Sequence, residues 1–372
     1  MKTIIRFFNY KICNQGFNNL FKRLVLVTVA VTLIVLDYAE AAQKPDNRET
    51  QTIVAVGDIM LSGSAKPFLR KKGYDYSFDD LVLSKLIKNA DVAFANLECP
   101  VTKKGAAYKD KKFVFRSDPS SIKAIRKAGF NMLSLANNHI MDCGEEGLSS
   151  TINYCLKSGM VCSGAGADIT QAYKAGILKR KGVTYRLLSY SLTYPEEFWA
   201  TSVGAGAAYG EKSAVIEDIQ KTRKEADVVI VSFHWGAELA ENPKAYQVAM
   251  AHLAIDSGAD VVFGHHPHVP QPVEIYKGKP VFYSLGNYAF GSYSKKTPIS
   301  FAARIVLEKN RILSVRIFPV ITDNYEVKFK PACAMNNRAK EIILYLDEIS
   351  QPFGTEIIYE NGIGIVNLDK SL

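Results

Sequence analysis

The sequence predicts an α/β protein with a largely parallel sheet and a functional site at the carboxyl ends of its strands. Two observations predict this class. Short apolar, β-branched runs alternate with segments of helical period, and each run stops at Gly, Asn or His, as strands buried on both faces do. In addition, five of the six histidines follow such runs, which is where α/β enzymes place ligands and catalysts.

The predicted elements alternate along the chain. The strands are Thr52–Val56, Asp91–Ala95, Asn131–Leu135, Asp227–Phe233 and Ala259–Phe263. The helices are Asp79–Asn89, Pro119–Gly129, Glu146–Gly159, Ser213–Ala226 and Pro243–Gly258. Pro119 and Pro243 suit the first turn of a helix, because the N–H that proline lacks has no helical partner there. Three of the helices end at glycine, which tolerates the left-handed conformation of a helix end.

Length and composition allow one large folded domain. The chain has 372 residues, of which 48% are hydrophobic and 22% are charged, so it can bury a sizeable core and is too apolar to be disordered. We assign residues 52–330 to this domain and residues 331–372 to a C-terminal extension that packs on it. The net charge of +9 fits an anionic partner but is also common in proteins without one. Because the sequence has no nucleic-acid-binding module, we expect no nucleic-acid partner.

The first 42 residues have the features of a targeting segment. Five basic residues precede the apolar run Leu24–Leu36, and small residues follow it at the spacing of a signal cleavage site. The run has 13 residues, which suits a signal peptide better than a membrane span, although the long basic lead leaves an uncleaved signal anchor open. Residues 43–51 are polar and are predicted to be a linker. We therefore expect an exported protein, periplasmic or extracellular, that is either released or anchored to the membrane.

Cysteine usage indicates no dedicated site. Five cysteines follow the targeting segment, an odd number without a Cys-x-x-Cys pair, so neither a disulfide framework nor a thiolate zinc site is predicted. One disulfide, such as Cys155 with Cys162, is compatible with an oxidising compartment. Cys99 and Cys143 adjoin the proposed site, where we expect each to be a small buried hydrophobic residue.

The groups that follow the predicted strands favour a metal site. They are Asp58, Glu98, Asn137, Asn138, His139, His234, His265, His266 and His268. Neutral imidazole, carboxylate and side-chain amide are the ligands of divalent transition metals. A single histidine after a strand is more often structural, but five together favour ligands. His252 lies inside a predicted helix and is expected to be structural.

Six segments in this order carry a family resemblance. They are Gly57-Asp58-Ile59-Met60-Leu61, Asn96-Leu97-Glu98, Asn137-Asn138-His139 with Asp142 and Gly144, His234-Trp235-Gly236 with Glu238, His266-Pro267-His268, and Ser284-Leu285-Gly286-Asn287. Together, over about residues 52–290, they resemble the bacterial capsule-synthesis protein CapA family. That family is associated with poly-γ-glutamate and is similar to the calcineurin-like metallophosphoesterases. The resemblance implies a four-layer α/β/β/α sandwich of two mainly parallel or mixed sheets.

The resemblance also implies a centre with one or two divalent ions, of which Mn, Fe and Zn are the best candidates. The first metal would be held by Asp58, Glu98 and His268, and the second by Glu98, Asn138, His234 and His266. Glu98 would bridge the two, and His139 would be the general acid that protonates the leaving group. Two cations about 4 Å apart activate water and stabilise a phosphoryl-like transition state. If His266-Pro267-His268 is extended, its two histidines point to the same side.

Met60 departs from the Asp-x-His pattern usual in metallophosphoesterases, so the first metal lacks one imidazole. Asp142, Glu238 or His265 is a candidate replacement ligand. Asp142 and Glu238 could instead orient a ligand imidazole through a hydrogen bond, and His265 could only position its loop. Asn287, in the last motif, is a further candidate, as an additional ligand or in such an orienting role.

Three other features have two interpretations each. The basic run Lys103–Lys112 could meet an anionic polymer, although a solvated loop is the default expectation. The segment Gly204–Gly210 lacks a feeding strand and a Lys-Ser pair, which favours a flexible active-site loop over a phosphate loop. Trp235 could stack on a substrate or pack behind His234.

These features predict an exported metal-dependent hydrolase that acts on a cell-envelope polymer or its anionic precursor, such as poly-γ-glutamate. The fold favours phosphoester chemistry, and the family association favours γ-glutamyl amide chemistry. The competing hypothesis is a non-catalytic accessory protein that binds an anionic capsule polymer and aids its assembly or export. Other capsule-synthesis membrane proteins are candidate partners.

Overall fold

The computed structural model describes residues 50–369. Its strands are β1 (Thr50–Met60), β2 (Val92–Leu97), β3 (Met132–Ser134), β4 (Val161–Ser163), β5 (Ala165–Gly166), β6 (Gly176–Arg180), β7 (Val183–Ser191), β8 (Gly206–Ala207), β9 (Val228–His234), β10 (Val261–His265), β11 (Val273–Tyr276), β12 (Lys279–Phe282), β13 (Asn287–Phe290), β14 (Ile299–Glu308), β15 (Arg311–Ile321), β16 (Ala332–Cys333), β17 (Ile357–Glu360) and β18 (Ile363–Val366). Its α-helices are α1 (Ala65–Lys72), α2 (Leu81–Lys88), α3 (Pro119–Ala128), α4 (Gly144–Lys157), α5 (Ile169–Ala172), α6 (Lys212–Arg223), α7 (Ala245–Asp256), α8 (Asn324–Val327) and α9 (Asn336–Ser350). Short 3₁₀ helices occupy Tyr74–Phe78, Glu196–Phe198 and Gln351–Phe353.

The strands form two large sheets and a small one. The first sheet has the order β17-β18-β15-β14-β1-β2-β3-β4, with β13 beside β1 and β16 beside β15. Strands β1 to β4 are parallel, whereas β14 runs antiparallel to β1. The second sheet has the order β11-β12-β10-β9-β7-β6, in which β7, β9, β10 and β12 are parallel. Strands β5 and β8 pair separately. Both large sheets are therefore mixed: the first is parallel from β1 to β4 and antiparallel from β14 to β17, and the second is parallel at its centre.

The two large sheets pack face to face and carry helices on their outer faces. Between them lies an apolar layer in which the rings of Phe94 and Phe263 stack at 5.2 Å. Because side chains alternate along a strand, Val54 faces the other way, into a second core with α2, α3 and α4. On the far side, Val229 of β9 packs with α6 and α7. The four-layer α/β/β/α sandwich that the resemblance implies is confirmed.

The local sequence accounts for the helix ends that the pattern predicts. Asp80 precedes α2 and accepts the first N–H groups of that helix with its side chain. Pro119 occupies the first turn of α3, and Gly129 ends that helix in the left-handed conformation with φ of 114°. Pro243 is different, because α7 begins at Ala245 and the proline therefore precedes the helix.

The predicted strands and helices all occur, but their arrangement in one sheet is wrong. Strands β1, β2 and β3 lie in the first sheet, whereas β9 and β10 lie in the second. A strand that is buried on both faces has the same residue pattern in either sheet, so its pattern does not identify its partners. The family resemblance, which implies two sheets, gives the correct arrangement.

The chain ends add to the same sheets. Strand β1 begins at Thr50, so the last two residues assigned to the linker belong to it. In the C-terminal segment, β17 and β18 extend the first sheet, and α9 buries Ile343 and Leu346 in the layer between the sheets.

The predicted targeting segment, residues 1–42, lies outside the described residues. Within residues 50–369, no helix is long and apolar enough to cross a bilayer, and all five cysteines are free thiols, Cys155 and Cys162 included.

Candidate metal centre

Side chains from both large sheets meet at the carboxyl ends of their parallel strands. The first sheet contributes carboxylate and amide groups, and the second contributes imidazoles. They are Asp58 near the end of β1, Glu98 after β2, Asn138 after β3, His234 ending β9, His265 ending β10, and His266 and His268 in the loop that follows. The register aligns Asp58 with Asn96 and His234 with His265, because neighbouring parallel strands end at the same edge.

Two groups of three side chains in this cluster can each hold a metal ion. One group is Asp58, Glu98 and His268, and the other is Glu98, His234 and His266, with the ligand atoms of each group within 4.8 Å of one another. Asn138 adds an amide oxygen to the second group, since its Oδ1 lies 3.0 Å from His234 Nε2. These two candidate groups contain side chains that the resemblance implies as ligands, and the ligand sets themselves stay a prediction. Glu98 belongs to both groups, so its carboxylate lies between two candidate metal positions.

The donor atoms of the cluster fit a cation. Glu98 Oε1 and His266 Nδ1 are buried and have no hydrogen-bond partner among the described residues. An unpaired buried polar atom costs about 1–3 kcal/mol, and a bound cation would remove that cost for both atoms. Carboxylate, amide and imidazole ligands suit divalent transition metals.

The pKa values of the two carboxylates shift in opposite directions. Burial disfavours the charged form of Asp58, but hydrogen bonds from His265 and His268 outweigh it and hold the pKa of Asp58 well below its usual value. Burial, followed by the negative charge of Asp58, raises the pKa of Glu98 well above its usual value. A second negative charge at Glu98 is therefore costly in the metal-free protein, and a cation would stabilise it.

Two of the imidazoles are held in the neutral form that binds metal. Burial, followed by the nearby charge of His266, lowers the pKa of His234 well below its usual value. Burial, followed by the charge of His268, lowers the pKa of His266 to about 3. Both rings are therefore neutral near pH 7, and neither has to lose a proton before a metal binds.

Asp58 is fixed by neighbours from both sheets. His265 Nδ1 lies 2.9 Å from Asp58 Oδ1, and Asn96 donates to the same oxygen at 2.9 Å. The backbone N–H of His266 donates to Oδ2 at 3.3 Å. The sequence leaves His265 as a substitute for the imidazole missing at Met60 or as a loop-positioning residue. The structure places it in neither ligand group, as a partner that orients Asp58.

Of the remaining candidate site residues, Asp142 and Asn287 each orient an imidazole, and Glu238 does not. Asp142 bonds to His139 and belongs to neither ligand group. Glu238 is exposed in the turn after β9. Asn287 Oδ1 lies 3.0 Å from His268 Nδ1, so the amide orients that imidazole. Neither of the two carboxylates therefore replaces the missing first-site imidazole in this structure.

His139 is held for a role other than metal binding. Its Nδ1 lies 2.7 Å from Asp142 Oδ2, and its ring packs against Phe115 with centroids 4.6 Å apart. Burial lowers the pKa of His139, although Asp142 opposes the shift. Because Nδ1 is engaged by the carboxylate, Nε2 is the nitrogen left for proton transfer to a substrate.

Loop geometry corrects one expectation and decides between the two given for Trp235. The segment His266-Pro267-His268 is not extended, because both histidines have positive φ, 94° and 62°. Trp235 is fully buried and donates to the Tyr283 carbonyl at 2.9 Å, so it packs behind His234 and does not stack on a substrate. Part of the glycine-rich segment is ordered as β8 and pairs with β5.

Two residues of the site were not predicted from the sequence. Asn96 lies at the centre, with Nδ2 within 2.9 Å of Asp58, 3.5 Å of Glu98 and 3.3 Å of His234. Its place in the Asn-Leu-Glu motif was a usable signal. Lys111 contacts Asp142 at 2.6 Å and lies beside His139, but nothing in the basic run distinguishes it from its neighbours.

Comparison with known proteins assigns the chain to a family. Residues 52–292 match the family described as bacterial capsule synthesis protein PGA_cap. The chain belongs to this family. The "Capsule biosynthesis protein CapA" of Bacillus anthracis is 31% identical over 304 residues, which cover 80% of this chain and 74% of the relative. The "PGA biosynthesis protein CapA" of Bacillus subtilis is 32% identical over 297 residues, or 79% and 77% of the two chains.

The PGA_cap match includes every candidate ligand, from Asp58 to His268, together with Asn287. Solved structures are more distant. A hypothetical protein from Thermus thermophilus aligns with a TM-score of 0.45 and 18% identity over 73% of this chain and 99% of that one. A putative 5'-nucleotidase from Staphylococcus aureus aligns with a TM-score of 0.43 and 12% identity over 81% and 58%. At these scores the structural likeness carries no information on substrate or reaction.

Close packing behind this PGA_cap site predicts a strong effect of Gly264→Ala. A Cβ at Gly264 would lie 1.9 Å from the Tyr283 carbonyl oxygen and 2.7 Å from Trp235 Nε1. Because a backbone oxygen cannot rotate away, the substitution should lower the free energy of unfolding by about 1–3 kcal/mol or more, measured by denaturant unfolding. Gly204→Ala is the control, since the nearest atom there is the rotatable Thr201 hydroxyl. Equal stability of the two variants would contradict the packing described for β10.

Proposed function

We propose that this PGA_cap protein is an exported, metal-dependent hydrolase that acts on an anionic cell-envelope polymer or its precursor, poly-γ-glutamate or a similar polymer. The observation that carries the proposal is the pair of candidate metal groups that share Glu98, with His139 next to them. The sequence features of residues 1–42 support export. Phosphoester and γ-glutamyl amide bonds are the two bond types we consider.

The residues of the site would divide the work of hydrolysis. Divalent metal, when bound, supplies Lewis-acid activation of water and of the scissile group. Asn96 and His265 hold the Asp58 carboxylate in one orientation. Asp142 holds His139 by Nδ1 and favours its protonated form, in which both ring nitrogens carry a proton and Nε2 would give its own to the leaving group, leaving the neutral ring bonded to Asp142.

The names of two relatives support the choice of substrate. The Bacillus subtilis relative is named for PGA biosynthesis, and the Bacillus anthracis relative for capsule biosynthesis. Poly-γ-glutamate carries one carboxylate per residue, and the net charge of +9 on this chain is complementary to it. The proposal therefore combines the chemistry of the site with the polymer named for its relatives.

A non-catalytic role is the second candidate. A relative in Mycobacterium tuberculosis, 32% identical over 208 residues, is named a probable polyglutamine synthesis accessory protein. That relative covers 53% of this chain. In this role the protein would bind the anionic polymer and aid its assembly or export, with capsule-synthesis membrane proteins as partners.

Turnover with and without metal separates the two functions. The full-length protein is stripped of metal, reloaded with manganese, and assayed on aromatic phosphoesters and on γ-glutamyl peptides. A hydrolase should release product only when metal is present, and His234→Ala should abolish that release. His252→Ala is the matched control, since His252 bonds to Glu274 and not to a candidate ligand. Polymer affinity without product on either substrate class would support the accessory role and reject the hydrolase.

A further inference from the structure

Lys111 lies in the candidate site, although its position in the basic run Lys103–Lys112 does not indicate this. It lies in the long loop between β2 and α3, whose ends are bridged by Val101 and Ser117. The loop folds back on the site because Asp142 accepts the Phe115 N–H at 2.7 Å. Loops of this length without helix or strand in a compact domain are usually functional.

The ammonium group of Lys111 is enclosed, unlike those of the other lysines in the basic run. Its side chain is 14% exposed, and Nζ lies 2.6 Å from Asp142 Oδ1. It also donates to the Asn138 carbonyl and lies 4.9 Å from the centre of the Phe198 ring. The exposed lysines of the run are Lys103, Lys104, Lys109 and Lys112. Only Lys111 therefore brings a fixed positive charge into the site from this run.

One N–H of this ammonium has no acceptor among the described residues. An ammonium has three N–H donors. One N–H of Lys111 donates to the Asp142 carboxylate and a second donates to the Asn138 carbonyl. The third neighbour is His139 Nδ1 at 3.0 Å, but that nitrogen is 2.7 Å from Asp142 Oδ2 and must donate to it. If His139 Nδ1 accepted from Lys111 instead, it would carry no hydrogen to donate to Asp142. Its lone pair would then lie next to the Asp142 carboxylate oxygen, which is unfavourable. The remaining N–H therefore has no oxygen or nitrogen acceptor among the described residues, and the nearest ring, that of Phe198, lies 4.9 Å from Nζ.

The charge of Lys111 also reaches the candidate metal positions. Its Nζ donates to the carbonyl of Asn138, whose amide adjoins the second metal group, and its charge limits the rise in the pKa of Glu98 and adds to the lowering of the pKa of His266. A mostly buried ammonium with an unpaired N–H is costly unless an anion completes it. We propose that Lys111 binds an anionic oxygen of the substrate beside the metal groups and so selects for anionic substrates.

This proposal rests on the proposed site, and it names the chemistry that the site recognises. A phosphoryl oxygen and a γ-glutamyl carboxylate oxygen would both satisfy the unpaired N–H. The first would come from a phosphoester and the second from the polymer or its fragments. Binding of each anion can be measured without turnover, so the proposal does not fail with the hydrolase assignment.

Anion titrations of the full-length, manganese-loaded protein test the proposal. The probes are inorganic phosphate and a γ-glutamyl trimer. Lys111→Met should weaken binding of one or both probes by about 10- to 100-fold, the range for losing a charged hydrogen bond, while metal content stays at the wild-type value. A loss for phosphate alone identifies a phosphoryl oxygen, and a loss for the trimer alone identifies a carboxylate. Lys112→Met, an exposed neighbour, should leave both affinities unchanged.

Lys111→Met leaves the buried Asp142 carboxylate without its cation. A second variant therefore controls for an effect of this change on folding. The double variant Lys111→Met with Asp142→Asn removes both charges, and Asp142→Asn alone keeps the ammonium. Anion affinity should be lost in the double variant and retained in the single one. Wild-type affinity for both probes without Lys111, or loss of metal together with loss of anion, would show that Lys111 only supports the Asn138 loop.

Discussion

Replacing Glu98 with glutamine should empty both metal positions at once. Glu98 is the one residue shared by the two candidate groups, and its Oε1 has no hydrogen-bond partner among the described residues, with His234 Nε2 at 3.6 Å and His268 Nε2 at 3.8 Å. Loss of a hydrogen-bonding partner outside the ligand shell already costs roughly 10–100-fold in metal affinity. We therefore expect both affinities to fall by at least about 100-fold, with turnover lost as well. Elemental analysis and metal titration measure the effect.

Variants that remove a ligand from only one of the two metal groups are the comparison for Glu98→Gln. His268→Ala removes a ligand of the first group and His234→Ala a ligand of the second, so each should lose one of the two metals. Folding is checked in the metal-free state, where Glu98→Gln should be no less stable than wild type. The reason is that burial and Asp58 raise the pKa of Glu98, so its ionisation opposes folding as the pH rises above the usual glutamate value. If Glu98→Gln keeps even one metal at wild-type affinity, the shared-carboxylate arrangement is wrong.

His139→Ala should keep both metals and still lose most of the activity. Its Nδ1 is held by Asp142, and it belongs to neither metal group. Loss of a general acid costs roughly 10²–10⁴ in rate, so turnover of the metal-loaded variant should fall within that range. A leaving group of low pKa, such as nitrophenolate, needs little protonation and should be less affected than an alkyl leaving group.

Metal content decides between the roles of His139. The variant is compared with His234→Ala, which should lose metal from the second group. Should His139→Ala lose metal to the same extent, His139 acts as a ligand or as a support for Asn138, and the proton donor has to be another residue.

The sequence could predict the elements of this fold but not how they assemble. Runs such as Asp227–Phe233 are apolar on both faces, which identifies a buried strand and leaves its sheet undetermined. The antiparallel half of the first sheet, from β14 onward, was not predicted element by element. Strand β14 does carry a buried arginine, Arg304, inside an otherwise apolar run. The strand ends that carry candidate site residues were easier to predict, because Gly, Asn and His interrupt the apolar runs there.

For the site, residue types and order predicted which side chains come together, and local contacts decided their individual roles. Asp58, Glu98 and the histidines at or after the ends of β9 and β10 could be found because each lies close to the carboxyl end of an apolar run. The roles of His265 and Asp142 could not, since a residue next to a ligand can bind the metal or orient a ligand, and only distances separate the two. Lys111 was hidden by a loop whose path depends on contacts with Asp142, 31 positions away in the chain.

The division of the candidate ligands between two sheets links metal binding to the folding equilibrium. Carboxylates of the first sheet and imidazoles of the second can share an ion only when the sheets are docked, so a bound metal would cross-link the two halves of the sandwich. By mass action, free metal at 100 times its dissociation constant would add about 2.7 kcal/mol to the free energy of unfolding. Without metal, docking depends on the apolar layer, including the Phe94–Phe263 stack, and on hydrogen bonds between the sheets such as that of His265 with Asp58. A compartment poor in this metal would then hold less folded protein, and not merely less active protein.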